Sequence, residues 1–159
     1  MFYYSYELFR EDMKELVKRL DYTPDAVLGI ARGGLTMAHF LGIALDMREV
    51  YAINAISYFN KQQDEDIKIF NIPNLGDARR VLIVDEIIDS GKSMKKILEI
   101  LTEINPDIEF KTAVLFHKST AIYEPDYHIR SANEWIEFFW EVDILAPTEE
   151  RNKSLLNAQ

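Results

Sequence analysis

The chain has 159 residues, 48% of them hydrophobic and none of them cysteine, which suits a single domain with an adequate core and gives no sign of a disulfide-stapled scaffold. A formal net charge of −9 argues against a general nucleic-acid surface, so anionic ligands would have to be held by local donors or metal. No apolar run approaches the roughly 20 residues that cross a bilayer, and the aromatic, polar stretch Met1 to Arg10 does not read as a signal peptide, so the expected location is cytoplasmic with no integral membrane contact.

The first element is a helix whose apolar face runs through Tyr6, Phe9, Met13, Leu16, Val17 and Leu20 at helical spacing and should cap one side of a sheet. Ala26 to Ile30 then reads as a short buried strand. It leads into Ala31-Arg32-Gly33-Gly34 and a helical pattern through Leu35, Ala38, His39, Leu41 and Leu45. One cation and two glycines at a strand-to-helix turn make an anion site, with exposed amides and a planar guanidinium fork. Taken alone, the same turn also reads as a flexible connection carrying a solvated Arg.

Glu49 to Ile56 is a further apolar strand. The polar stretch Ser57 to Asp66, reaching toward Leu75, is too long for a tight turn and reads as a flap over residues 57–75, or as a solvated hairpin.

Val81 to Val84 is a strand buried on both faces, followed by Asp85, Glu86, two apolar residues, Asp89, Ser90, Gly91, Lys92 and Ser93. The helical set Ile97, Leu98, Ile100, Leu101 and Ile104 comes next. The polar turn therefore lies at a strand's carboxyl end, where open α/β sheets bind ligands and a helix N-terminus attracts phosphate. Gly91 lets the backbone approach an anion, and the Ser90 and Ser93 hydroxyls add donors. Asp85 and Glu86 cannot serve that phosphate. They suit sugar hydroxyls or a hard divalent cation, so the segment is built for a phosphorylated ribose. A triphosphatase loop would need a glycine where Glu86 stands.

Lys111 to Phe116 is a strand that delivers His117 and Lys118 to the same edge if the sheet is parallel. Asn133 to Trp140 packs aromatic residues densely enough to stack on something flat, with Trp135 and Ile136 as candidates, although Phe138, Phe139 and Trp140 read more simply as core. The charged tail over 148–159 carries no motif. His39, His117 and His128 share no metal-ligand spacing. Phe2, Tyr3, Tyr4, Tyr51 and Phe59 are aromatic candidates for an interface.

The run Val81 to Ser93, with the turn Ala31 to Gly34 before it, resembles the type I phosphoribosyltransferase family, and the layout is similar to the short bacterial 6-oxopurine members along most of the chain. The resemblance implies an α/β fold: a mostly parallel central sheet flanked by helices, one domain over 1–159, with a small C-terminal hood over 127–145. It implies that Asp85 and Glu86 bind the ribose hydroxyls directly or through Mg²⁺ and that Ser90, Gly91, Lys92 and Ser93 hold the 5′-phosphate. Arg32 and Gly33 would hold pyrophosphate beside a cis Ala31–Arg32 peptide bond. Asp89 would face the purine as acid/base, Lys118 would donate to its 6-oxygen, and Trp135 and Ile136 would line the base, their main-chain carbonyls accepting from it with Glu141 nearby. Glu86 stands where many members have Asp, and Ser90 and Ser93 replace the usual threonines. The implied reaction joins a purine base to phosphoribosyl pyrophosphate. Homodimers or homotetramers are expected. Alternatives are an adenine or pyrimidine enzyme, or a non-catalytic phosphoribosyl pyrophosphate-sensing regulator.

Overall fold

The computed structural model describes residues 1–62 and 65–144. The tail over 148–159, the last residue of the expected hood, and Gln63 and Asp64 within the expected flap lie outside the described residues. Strand β1 (Phe2–Tyr4) leads into helix α1 (Tyr6–Arg19), then β2 (Ala26–Ala31), α2 (Gly33–Ala44), β3 (Val50–Phe59) and β4 (Glu65–Phe70). The chain continues through β5 (Arg80–Ile88), α3 (Lys92–Ile104), β6 (Glu109–His117), β7 (Tyr127–Ser131), β8 (Ile136–Phe138) and the single turn α4 (Phe139–Val142).

The main sheet has six strands in the order β4-β3-β2-β5-β6-β7. All neighbours are parallel except the β3–β4 hairpin. This is the expected α/β arrangement, and β5 shows why it forms. Leu82 and Val84 pack into the cluster beneath α1 and α2, while Val81 and Ile83 pack into the cluster beneath α3. A strand covered on both faces must be apolar throughout, which is the signature of a parallel sheet. Strands β2 and β5 run parallel side by side, with β3 added on one side of the pair and β6 on the other, so the carboxyl ends of both strands, and the turns that follow them, lie on one edge at the point where the strand order switches sides.

Some elements are longer than their apolar cores. Strand β5 continues beyond Val84 through the acidic pair to Ile88, so Asp85 and Glu86 lie on the strand itself and only Asp89 onward forms the turn. Strand β3 likewise runs on to Phe59 and pairs with β4 from Asn54↔Phe70 to Phe59↔Glu65, giving the polar stretch a hairpin arm. Its β4 side is tied to α3 by Lys92–Glu65 at 3.0 Å and Lys96–Asp66 at 3.8 Å.

The N-terminal segment departs from expectation. Tyr4 is fully buried, not an interface aromatic, and its hydroxyl donates to Asp12 at 2.7 Å. Asp12 lies on the buried face of α1 and accepts from Arg130 Nε at 2.6 Å and Nη2 at 3.0 Å. A buried carboxylate needs such partners, and together they lock β1, α1 and β7. β1 also pairs in parallel with β8, Phe2 opposite Ile136, forming a two-stranded sheet that carries the hood. Phe138, Phe139 and Trp140 pack with Tyr4 and Phe9 as an aromatic cluster.

Candidate active site

Two helices begin at the carboxyl edge of the sheet, and neither is capped by the side chain of its N-cap residue. Arg32 is the N-cap residue of α2 and Gly91 that of α3, and neither helix has an acidic residue in its first turn. Helix α1, away from this edge, is capped in the ordinary way by Ser5, whose hydroxyl accepts from the Leu8 N–H. Unpartnered first-turn N–H groups carry partial positive charge and bind anions. The Ala31–Arg32 peptide bond is cis, as the family resemblance implies.

At the α3 turn, Gly91 has φ of +83° and is buried, with Tyr123 N only 2.8 Å from where a β-carbon would sit. Both facts require glycine there. The Lys92 N–H reaches the Ser90 hydroxyl at 3.3 Å, closing a tight loop around the α3 N-terminus. The Lys92 side chain turns outward to Glu65, leaving its main chain for the cradle.

A cavity of about 800 Å³ opens between these turns and the hood, and Arg32, Gly33, Asp85, Glu86, Ser93 and Trp135 are among its lining residues. Asp89 and Lys118 sit just beyond the ends of paired strands: Ile88 lies opposite His117, and the Lys118 N–H donates to Ile88 at 3.0 Å. Their side chains form an ion pair, Nζ to Oδ1 at 2.8 Å. Ile136 is 8% exposed and, with Phe2 and Phe116, lines a separate hollow of about 350 Å³, while Trp135 is 75% exposed. The Trp135 carbonyl already accepts from the Phe2 N–H at 2.8 Å, so β1 occupies that edge of β8. Alternation along β8 turns the Ile136 main chain toward the opposite edge.

Asp85 and Glu86 are both pushed upward in pKa. Burial is the main cause at Asp85, followed by repulsion from Glu86, and its carboxyl rises to about 8. Glu86 rises to about 7 through burial and then repulsion from Glu141, partly offset by the Trp140 hydrogen bond and by Arg32. Adjacent carboxylates raised in this way are short of positive charge or donors, which a divalent cation or ribose hydroxyls supply. Among the described residues no cluster of three or more His, Cys, Asp or Glu could hold a metal.

These shifts predict a pH effect on the ligand-free protein. The folded state retains protons that an unfolded Asp or Glu gives up near pH 4, so stability falls as pH rises toward the folded values of about 7 and 8. His128, lowered chiefly by burial, acts in the opposite sense below about pH 6.5, which leaves pH 6.5 to 8 as the clean window. Urea unfolding without divalent ions should show a loss of about 2 kcal/mol across that window. An unchanged midpoint would mean that the pair is not held protonated.

Sequence reasoning missed two contributors. Thr36, one turn into α2, lines the cavity, and its position after Arg-Gly-Gly was the available signal. Trp140 reads as core in the sequence, yet its indole N–H donates to Glu86 Oε2 at 3.1 Å.

The phosphoribosyl transferase domain model matches residues 5–147. A xanthine-guanine phosphoribosyltransferase from Cereibacter sphaeroides is 33% identical over 152 residues, covering 89% of this chain and 87% of that protein. Among solved structures, a xanthine-guanine-hypoxanthine phosphoribosyltransferase from Helicobacter pylori superposes with a TM-score of 0.85 at 43% identity, covering 96% of this chain and 98% of that one. A purine phosphoribosyltransferase from Pyrococcus horikoshii gives a TM-score of 0.75 at 30% identity, covering 87% and 92%. Open helix N-termini flanking an acidic pair on a parallel sheet, a match along nearly the whole chain and these relatives agree: the chain belongs to the phosphoribosyl transferase domain family.

Proposed function

We propose that the protein is a purine salvage enzyme that transfers the 5-phosphoribosyl group from phosphoribosyl pyrophosphate to N9 of guanine, xanthine or hypoxanthine, releasing pyrophosphate. The observation that carries this reading is the grouping, on one sheet edge, of two uncapped helix N-termini, an acidic pair between them and a lysine just past the end of the next strand. A sugar with a phosphate at one end and a pyrophosphate at the other needs two anion cradles with hydroxyl acceptors between them. The names of the relatives above support the purine class.

On this reading the Gly91 to Ser93 main chain and the Ser90 and Ser93 hydroxyls bind the 5′-phosphate, while Arg32 and the Gly33 amide bind the pyrophosphate. Asp85 and Glu86 face the ribose and would hold Mg²⁺, which when bound supplies neutralisation of the pyrophosphate charge. No covalent enzyme nucleophile is needed. Alignment and fixed charge do the work, with the two carboxylates near the sugar carbon where positive charge develops. Asp89 accepts the proton from purine N7 as N9 attacks. The β3–β4 arm closes over the sugar and keeps water out. The reaction suits the cytoplasm, and exposed Leu35, Phe40 and Ile43 along α2 suit a homodimer or homotetramer.

Lys118 reads the base. An ammonium donates to the 6-oxygen of a 6-oxopurine and meets only an amino group on adenine. The test is nucleotide formation from phosphoribosyl pyrophosphate and Mg²⁺ with guanine, xanthine, hypoxanthine, adenine, orotate and uracil offered separately. Turnover confined to the first three is expected, and reaction with adenine or a pyrimidine would overturn the base assignment. Lys118→Met should cut kcat/KM for the accepted purines by about 30- to 100-fold while leaving the KM for phosphoribosyl pyrophosphate in place, because a charged hydrogen bond is lost at the base alone.

A further inference from the structure

The side chain of Glu86 does not extend freely into the cavity. It lies against the turn that opens α2: a β-carbon at Gly33 would be 2.2 Å from both Glu86 Cδ and Oε2. The carboxylate therefore fills the space that glycine leaves at the Arg32–Gly33 turn. The same oxygen, Oε2, accepts from Trp140 Nε1 at 3.1 Å. Trp140 belongs to the hood, 54 residues further along the chain.

Trp140 is itself firmly held. Its ring stacks on Phe138 at 4.8 Å with an interplanar angle of 15°, and it meets Phe9 edge-on at 5.5 Å and Phe139 at 4.9 Å. Phe138 belongs to β8, the strand that also carries Ile136 and follows Trp135. Around the Glu86 carboxylate stand Asp85 on the same strand, Arg32 at the α2 turn and Glu141 on α4. The neighbouring Glu141 carboxylate repels this one, and a fixed donor holds it in place.

Resting on the transferase reading above, we propose that Trp140 is a positioning residue: its indole N–H clamps Glu86 against the Arg32–Gly33 turn and so links the hood, whose Trp135 and Trp140 line the same cavity, to the pyrophosphate side. Placement of the hood and shape of the pyrophosphate turn are then set together through one hydrogen bond. This assigns Glu86 a mechanical role in addition to its expected contact with ribose or metal, and takes Trp140 out of the purely packing class.

The chain has two tryptophans, so two indole N–H signals report the clamp directly by ¹H–¹⁵N NMR. In the wild-type protein, inorganic pyrophosphate with MgCl₂ should shift the Trp140 indole signal; in Glu86→Met, which removes the acceptor, the signal should start displaced and no longer respond. A wild-type signal indifferent to saturating pyrophosphate, or a response that persists in Glu86→Met, overturns the clamp. Calorimetry on the same samples separates the two readings: pyrophosphate that does not bind the wild-type protein overturns the transferase reading and the clamp with it, whereas pyrophosphate that binds while the Trp140 signal stays in place overturns the clamp alone.

Kinetics supply the second arm. Trp140→Phe keeps an aromatic ring on Phe138 but has no N–H, and should lower kcat about tenfold while the purine KM stays within about twofold. Incorporating benzothienylalanine at the same position, isosteric with Trp but lacking the donor, should reproduce that loss without a change in thermal midpoint. In the Glu86→Met background neither replacement should have a further effect. Multiplicative effects of the two sites, or full activity with the isostere, would reduce Trp140 to packing.

Discussion

Gly34→Ala is expected to lose about 3 kcal/mol of stability and to fall below a hundredth of wild-type activity even where it remains folded. A β-carbon at Gly34 would lie 2.3 Å from the Val84 carbonyl oxygen and 3.2 Å from Asp85 Cα, and neither is the movable end of a side chain. Room for the methyl group can come only from lifting α2 off the sheet. Gly29 is also tightly packed, since its β-carbon would be 2.9 Å from Ala38 Cβ and from the Gly34 carbonyl oxygen, so the helix cannot retreat toward β2 instead. The displaced end of α2 carries Arg32 and Gly33, and the Gly34 N–H helps to hold the charge of Asp85. One methyl group thus misplaces the pyrophosphate turn relative to the acidic pair. Urea unfolding and titration with phosphoribosyl pyrophosphate check both halves. Gly76→Ala is the control: nothing lies within 4 Å of its β-carbon, its φ of +57° is the only difficulty, and about 1 kcal/mol should be lost with activity intact. Equal losses at the two positions would mean that backbone strain, not the close approach of α2, sets the penalty.

The parts of the molecule legible in the sequence are those encoded by neighbours in the chain. The apolar run Val81 to Val84 meets two cores because strand periodicity alone decides which face each residue takes. The Gly91 turn and the Arg32 turn were readable as strand-to-helix junctions because each stands between an apolar strand pattern and a helical one. What could not be read depends on partners far away in sequence. Tyr4 passes for an exposed aromatic until Asp12 is seen in the core with Arg130, 118 residues on. The Trp135 carbonyl looks free for a base until β1 is found paired with β8. Asp85 and Glu86 extend a strand that composition would end at Val84, because pairing with β6 continues to Ile88↔His117 and outweighs the poor strand preference of acids. The hairpin arm is similar: Ser57 to Phe59 are polar or exposed, but β4 supplies the ladder partners.

Asp89→Asn should bind phosphoribosyl pyrophosphate within about twofold of wild type yet turn over 100- to 10,000-fold more slowly, the range for removing a positioned acid/base. Asparagine keeps the shape and retains a carbonyl oxygen for the Lys118 ammonium, which now sits 2.8 Å from the carboxylate, but it cannot take a proton. The phosphate cradle of Ser90 to Ser93 and the Arg32 turn use main-chain donors that this change leaves untouched. A competing role exists, since Asp89 could serve only to aim Lys118 at the base. The pH–rate profile cannot separate the two, because Asp85 and Glu86, raised to about 8 and about 7, titrate in the same range. The identity of the base can. Xanthine is the more acidic purine and depends less on an external proton acceptor than hypoxanthine, so the loss in Asp89→Asn should be smaller for xanthine if Asp89 takes the proton. If Asp89 only aims Lys118, the loss should fall on the base KM and be equal for both purines, as in Lys118→Met. Unchanged turnover with either base would remove Asp89 from the chemistry and leave the proton to water.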